Sequence, residues 1–223
     1  MKRKKFISMP VIRRLPKYHR CLRELLINNV DRVSSKELGE RIGSTATLIR
    51  QDISCFGYFG QQGFGYNVKD LLNEISGILG LIKEYKMIII GAGNIGQAIA
   101  NHTRSQGLDF KLVGIFDVNP KLIGLKIHDI KVLDIDELVG FLKVTPTDIG
   151  IICVPKDNAQ TVTNIVVKNG IKGVWNFAPV DLEVPEEIIL EHVYLSESLL
   201  TLSCLMNERT KIDYCTPEIE KTQ

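Results

Sequence analysis

No two of the five cysteines (Cys21, Cys55, Cys153, Cys204, Cys215) stand in a Cys-x-x-Cys spacing, which removes the common zinc-ribbon and dithiol patterns. Cys21, Cys153 and Cys204 lie in apolar stretches and read as small core residues rather than ligands or disulfide partners. The four histidines (His19, His102, His128, His192) show no metal-ligand spacing, so no metal is expected. No apolar run approaches the roughly 18 residues of a membrane span, and no leader-like segment is read. The expectation is a reduced, cytoplasmic protein without membrane association. A Tyr-x-x-x-Lys pair is also missing, which counts against a small dehydrogenase.

Net charge is nearly missing too, at +2 over 223 residues, but its distribution is uneven. Residues 1–86 hold 16 Lys/Arg against 8 Asp/Glu, a net +8, and residues 87–223 hold 12 against 18, a net −6. A basic first third beside an acidic remainder suggests an N-terminal module that meets a polyanion.

What is present in the acidic part is a dinucleotide fingerprint. The apolar run from Met87 ends in Gly91-x-Gly93-x-x-Gly96, and a helical pattern follows at once over Asn94–Ser105. A second apolar strand, Phe110–Phe116, ends in Asp117, 21 positions after the last glycine. Gly91 permits a tight turn, Gly93 lets backbone approach a pyrophosphate, and Gly96 lets helix pack on strand. The helix start offers free N–H groups and the positive end of its dipole to the phosphates. Asp117 would accept hydrogen bonds from the adenosine ribose hydroxyls, which selects NAD(H) over its phosphorylated form. Val118 and Lys121 are carried with it as cofactor candidates, and Lys121 would soften repulsion of an added phosphate.

The basic third reads as short helices. Tyr18–Asn28, preceded by Pro16, carries a stripe of Cys21, Leu22, Leu25 and Leu26. Ser34-Ser35-Lys36-Glu37 is a capping box that opens a helix with Leu38 and Ile42 inward. Gly43 ends it, Ser44 or Thr45 caps the next helix, Ala46–Phe56, and Leu48, Ile49 and Ile53 are its apolar positions. Two short helices about a glycine turn make a helix-turn-helix, whose second member enters the DNA major groove. A glycine-rich hairpin, Phe59–Tyr66, and a helix over Val68–Ile82 complete a winged helix. Plain helical domains also use this geometry, so the pattern alone leaves DNA binding open and the charge distribution favours it.

Taken in order, Arg13-Arg14-Leu-Pro-x-Tyr18, Ser34-Ser35-x-Glu-Leu38, Ile49-Arg50-x-Asp52-x-Ser54-x-Phe56-Gly57-x-Phe59-Gly60 and Gly63-x-Gly65-Tyr66 resemble the Rex family of redox-sensing transcriptional repressors. So do GAGNIGQAIA, Phe116-Asp117-x-Asn-Pro120, Val154-Pro155 and Trp175-Asn176-Phe177-Ala178-Pro179. The match runs from about residue 10 to 205. It implies an α/β chain: a winged helix in 1–86, a Rossmann NAD(H)-binding domain in 87–184, a C-terminal helix swapped between the subunits of a homodimer in 185–210, and a tail in 211–223. It implies a repressor, not an enzyme, that holds double-stranded operator DNA when NADH is low and releases it when NADH binds. Pro185–Met206, with Leu190, Val193, Leu195, Leu199, Leu200 and Leu202, is expected to supply the swapped helix.

The resemblance carries over residue by residue. Gly91, Gly93, Asn94, Ile95, Gly96 and Asp117 match the nucleotide motif. Val154 and Pro155 follow a strand, Ile149–Val154, and would border the cleft, while Asn176, Phe177, Ala178 and Pro179 would meet the nicotinamide carboxamide. Phe177 reads equally well as core. On the DNA side Arg50 is the candidate for a guanine edge or a phosphate, beside Thr45, Thr47 and Gln51. Ser34 or Ser35 would offer a helix start to a phosphate, and Gln61, Gln62 and Gly63 sit at the wing tip. Arg14 and Tyr66 belong to the same DNA-side set, and Lys2-Arg3-Lys4-Lys5 adds unspecific attraction. The family usually has Lys or Arg at Gln51, Gln61 and Gln62 and a polar residue at Leu48. Many members carry Asp at Tyr194 and Tyr at His102, so DNA affinity and coupling here rest on other contacts. Two other classes share the fingerprint: an NAD-dependent dehydrogenase, for which residues 87–184 leave no catalytic domain, and a nucleotide-sensing module that acts without DNA.

Overall fold

The computed structural model describes residues 7–57, 60–61, 65–105 and 110–213. The chain divides into two compact units, Met1–Glu84 and Tyr85–Gln223.

The first unit starts with α1 (Met9–Ile27), in which Val11, Leu15, Tyr18, Leu22 and Leu25 recur on one buried stripe. The helix begins well before the expected Tyr18, because Pro10 suits a first turn and Pro16 lies inside the helix. An interior proline frees the carbonyl four residues back, here Ile12. Both residues are exposed, so water can satisfy that oxygen. Leu26, expected in the stripe, is 41 % exposed. After β1 (Arg32–Val33) comes α2 (Ser35–Ile42). Its capping box is formed: Ser34 Oγ accepts from the Glu37 N–H at 3.1 Å, and Glu37 Oε2 accepts from the Ser34 N–H at 2.8 Å. Gly43 closes α2 at φ +69°, a left-handed conformation that glycine adopts without penalty. Thr45 Oγ1 then caps α3 (Ala46–Ser54). β2 (Gly60–Gln61) and β3 (Gly65–Asn67) complete a three-stranded antiparallel sheet in the order β1-β3-β2. α4 (Val68–Ile78) follows. It stops short of the expected Ile82 because Gly80 turns left-handed at φ +74°.

The second unit is a parallel α/β layer structure. Its strands are β4 (Tyr85–Ile90), β5 (Phe110–Asp117), β6 (Lys126–Ile127), β7 (Ile130–Asp134), β8 (Ile149–Ile152), β9 (Gly173–Asn176) and β10 (Ile189–His192). They lie in the order β10-β9-β8-β4-β5-β7-β6, all parallel except the β6–β7 pair. α5 (Asn94–Ser105), a 3-10 turn (Ile135–Glu137) with α6 (Leu138–Val144), and α7 (Lys156–Lys168) make the connections. Alternate strand residues serve two cores: Met87, Ile89, Ile115 and Ile151 pack with Ile99 and Ala100 of α5, whereas Ile88, Ile90, Phe116 and Ile152 pack with Leu138, Leu142, Val162 and Val166 of α6 and α7.

Two expectations for the C-terminal third are corrected. The stretch from Pro185 is not helical throughout. Ile189–His192 adds a sixth parallel strand beside β9, so the sheet runs past residue 184 and Leu190 sits on a strand. The helix α8 spans Leu195–Asp213. In the single chain Leu195, Leu199, Leu200, Leu202, Leu205 and Met206 are all more than half exposed. Cys204 is exposed with them rather than buried, while Cys21 is buried as expected and Cys153 is partly so. Among the described residues no helix is long and apolar enough to cross a membrane.

Candidate nucleotide cleft and nucleic-acid surface

In the second unit the chain leaves β4 for β5 on one side and returns on β8 at the other. Beyond the C-terminal ends of β4, β5 and β8 lies the switch point where open α/β sheets take ligands. A cleft of about 520 Å³ opens there and brings together Gly91, Gly93, Asp117, Val118, Val154 and Pro155. Asn94, Ile95 and Gly96 form the first turn of α5, whose hydrogen-bond ladder starts with the Gln97 N–H on the Gly93 carbonyl. The amides of that first turn have no partner within the helix, which leaves donors for an anion. Lys121 and Asn176–Pro179 are not in the lining of this cleft.

The three glycines are required for different reasons. Gly91 has φ +101°, and a Cβ there would collide with the carbonyl of Cys153. At Gly96 a Cβ would collide with the carbonyl oxygen of Gly91. At Gly93 a Cβ would meet no atom within 4 Å, although the residue borders the cleft. The protein itself therefore tolerates a methyl at Gly93, and the space it would fill belongs to the cleft. That is the room a pyrophosphate needs to reach backbone amides, so the residues fit a dinucleotide.

Asp117 also holds the glycine-rich turn itself. Its Oδ2 accepts from the Ala92 N–H at 2.6 Å and its Oδ1 from the Asn119 N–H at 2.7 Å. The carboxylate thus ties the glycine-rich turn to the end of β5, and each oxygen keeps a further lone pair for a hydroxyl. Ile135, Asp136 and Val139 also line the cleft. Sequence reading missed them. Their place follows from the pairing of Asp117 with Asp134 on β7, which carries the next residues to the same end of the sheet. Cys153 lines the cleft as well, and burial pushes its thiol up to about 12, so it is neutral and unreactive at physiological pH.

The Asn176–Pro179 turn is built differently from expectation. Asn176 is fully buried and its amide is engaged within the protein. Its Oδ1 accepts from the Ala178 N–H at 2.9 Å, and its Nδ2 donates to the Val180 carbonyl at 2.8 Å and meets His192 Nδ1 at 3.0 Å. The side chain shapes the turn, leaving main chain and neighbours to meet any ligand. Phe177 is half-buried and packs edge-on against Trp175, with ring centroids 4.7 Å apart. Tyr194 donates to Asp181 Oδ1 at 2.6 Å, which holds its phenol up at about 12.

In the first unit the two faces of α3 divide cleanly. Ile49, Asp52 and Ile53 are buried, while Thr47, Arg50, Gln51 and Ser54 face outward. Arg50 Nη1 donates to Ser35 Oγ at 3.1 Å and Nη2 to Thr47 Oγ1 at 3.2 Å. Ser35, Thr47 and Arg50 are therefore one cluster joining the start of α2 to α3. Ser34 and Thr45 have their oxygens engaged as helix caps. Tyr66 is only 9 % exposed and lies in the core, where burial raises its phenol against the opposing charge of Arg50. Arg14 is turned inward: Nε and Nη2 donate to Asp52 at 2.6 and 2.7 Å. Tyr18 also donates to Asp52, at 2.6 Å. Burial pushes the Asp52 carboxyl up, but these bonds outweigh it and hold the group below its ordinary value. Nothing in the local sequence gives Asp52 a role; its partners on α1 make it the buried anchor of α3 on α1. Gln62, Gly63 and the Lys2–Lys5 tail lie outside the described residues, as does the side chain of Gln61.

Comparison with known proteins adds to this geometry. A family model described as "CoA binding domain" matches residues 82–180, and one described as "Putative DNA-binding protein N-terminus" matches 6–54. The redox-sensing transcriptional repressor Rex of Clostridium acetobutylicum is 65 % identical over 211 residues, covering 95 % of this chain and 99 % of that protein. The one from Clostridium botulinum is 65 % identical over 208 residues, covering 93 % and 99 %. The crystal structure of RSP, a Rex-family repressor, is similar at 53 % identity with a TM-score of 0.85, covering 95 % of this chain and 99 % of that one. The complex with beta-NADH gives a TM-score of 0.85 at 52 % identity, covering 96 % of this chain and 100 % of that one. The complex with beta-NAD+ and operator DNA gives 0.86 at 54 %, covering 97 % and 100 %.

Proposed function

The chain belongs to the Rex family of redox-sensing transcriptional repressors, and from that membership we propose how its residues divide the work. Its function is that of a DNA-binding repressor that senses NAD(H), rather than an enzyme. The observation that carries the residue-level reading is the open space at Gly93 in a cleft flanked by Asp117 and the start of α5. The pyrophosphate lies across Gly91–Gly96, Asp117 takes the adenosine ribose, and the apolar side chains Ile135 and Val139 flank the base. Val154, Pro155 and the Asn176–Pro179 turn border the nicotinamide half. Arg50, set by Ser35 and Thr47, reads a base or clamps a phosphate, and the net +8 of residues 1–86 supplies unspecific attraction.

NAD+ leaves the repressor on its operator and NADH releases it. The RSP structures, one with NADH and one with NAD+ and operator DNA, support this direction. By linkage, operator DNA must weaken NADH binding by the same factor by which NADH weakens DNA binding. The working unit is a cytoplasmic homodimer, supported by the exposed leucines of α8, which a single chain leaves in water. DNA affinity at fixed salt, titrated with NADH and NAD+ separately, tests the reading: equal effects of the two would refute it. Removal of everything after Tyr194 keeps β10 and deletes α8. Sedimentation of that chain as a dimer would refute the role given to the helix.

A further inference from the structure

His192 stands outside every motif named above, yet among the described residues it is the titratable side chain that touches the buried amide of Asn176. The orientation of that amide is decided by its other partners. Oδ1 accepts from the Ala178 N–H at 2.9 Å, so Nδ2, a donor only, shares its two protons among the Ala178 carbonyl at 3.2 Å, the Val180 carbonyl at 2.8 Å and His192 Nδ1 at 3.0 Å. The neutral tautomer with a bare Nδ1 is the one that can accept a share of an Nδ2 proton. Register makes this contact: His192 pairs with Asn176 across β9 and β10, and the Val193 N–H donates to the Asn176 carbonyl at 2.8 Å. The imidazole also has a second polar neighbour. Its ring stacks on Tyr194, with centroids 5.5 Å apart and planes 6° from parallel, and Tyr194 Oη lies 3.4 Å from the same Nδ1. That oxygen donates its own proton to Asp181.

We propose that His192 is a positioning residue for the nicotinamide side of the cofactor site. Its neutral ring holds the Asn176 amide and thereby the Asn176–Val180 turn in place, so that protonation of the ring weakens NADH binding. Once protonated, Nδ1–H and the Asn176 N–H would oppose each other, donor against donor. Tyr194 Oη, tied to the Asp181 carboxylate, becomes the better partner, and the ring is drawn away from Asn176. The charged groups on this face are Asp181, reached through Tyr194, and Glu197, which acts on the Tyr194 phenol; Glu191 alternates to the opposite face of β10. Histidine as a residue type changes charge between about pH 5 and 8, which sets the pH range of the test.

The proposal rests on the assignment of the Asn176–Pro179 turn to the nicotinamide half, and the test separates the two. Calorimetry on the full chain measures NADH and ADP affinity from pH 5.5 to 8. NADH affinity should fall on acidification by about 3- to 10-fold, the scale of one hydrogen bond, while ADP, which lacks the nicotinamide, should bind evenly. His192→Asn presents a neutral acceptor near the Nδ1 position and should flatten the NADH profile while keeping wild-type affinity at pH 8. His192→Ala should bind NADH weakly at every pH, and its melting temperature reports separately on folding. An identical pH profile in wild type and His192→Asn overturns the proposal. A parallel loss of ADP affinity would place the effect elsewhere in the cleft and overturn it as well. If NADH fails to bind at pH 8, the nucleotide assignment itself falls, and the proposal with it.

Discussion

Gly93→Ala separates the protein's needs from the ligand's. The added Cβ meets nothing within 4 Å, and Gly93 does not use the left-handed conformation that only glycine tolerates. The variant should fold, with stability unchanged or raised by up to about 1 kcal/mol because an alanine has fewer unfolded conformations to lose. Binding should suffer instead. A methyl in the space reserved for a pyrophosphate forces the ligand away from the backbone amides, an overpacking penalty of about 1–3 kcal/mol. At about 1.4 kcal/mol per tenfold, this is a loss of roughly 5- to 150-fold in NADH affinity. Gly96→Ala is the control. Its Cβ collides with the Gly91 carbonyl, which is backbone and cannot step aside, so this variant should lose stability as well as binding. Melting curves and NADH calorimetry on both variants decide the matter. Wild-type NADH affinity in Gly93→Ala would refute the placement of the pyrophosphate, and equal destabilisation of the two variants would refute the steric argument.

The other expectations concern charge. Asp52→Asn removes the negative charge and replaces one of the two oxygens that accept from Arg14 and Tyr18 with a donor; breaking a buried pair costs about 3–5 kcal/mol, less here because the Arg14 side chain is 28 % exposed and can turn to water. Because Asp52 is held below its ordinary value, its contribution is fully present above the usual carboxylate range and disappears as pH falls through the lowered value. Urea unfolding of the N-terminal unit should therefore lose more stability in acid for wild type than for Asp52→Asn, and parallel profiles would show that the network contributes nothing. Arg50→Ala should weaken operator binding by about 1–3 kcal/mol with NADH affinity unchanged in calorimetry; normal gel shifts would mean that α3 is not the reading helix. NAD(H) should bind far better than its 2′-phosphorylated form, since the added phosphate would face the Asp117 carboxylate, and equal affinities would remove Asp117 from the ribose.

What the sequence determined by itself was local. The capping box at Ser34, the left-handed stop at Gly43 and the turn from Gly91 to Gly96 each depend on residues a few positions apart, so spacing alone exposes them. Asp117 was legible as well, because one strand and one helix separate it from the glycines, and the length of that unit fixes the distance. The tertiary structure decided whatever depends on which distant segments meet. Asp52 gains its role from partners 38 and 34 residues away on α1. Ile135 and Val139 reach the cleft only because β7 lies beside β5. Ile189–His192 carries a short, half-exposed pattern that reads as readily as the approach to a helix, and pairing with β9 makes it a strand. That same pairing brings His192 onto Asn176, which lies 16 residues away in the chain. Hydrophobic period and turn chemistry act over a few residues, whereas a buried carboxylate or amide is defined by the groups that the fold carries to it from elsewhere in the chain.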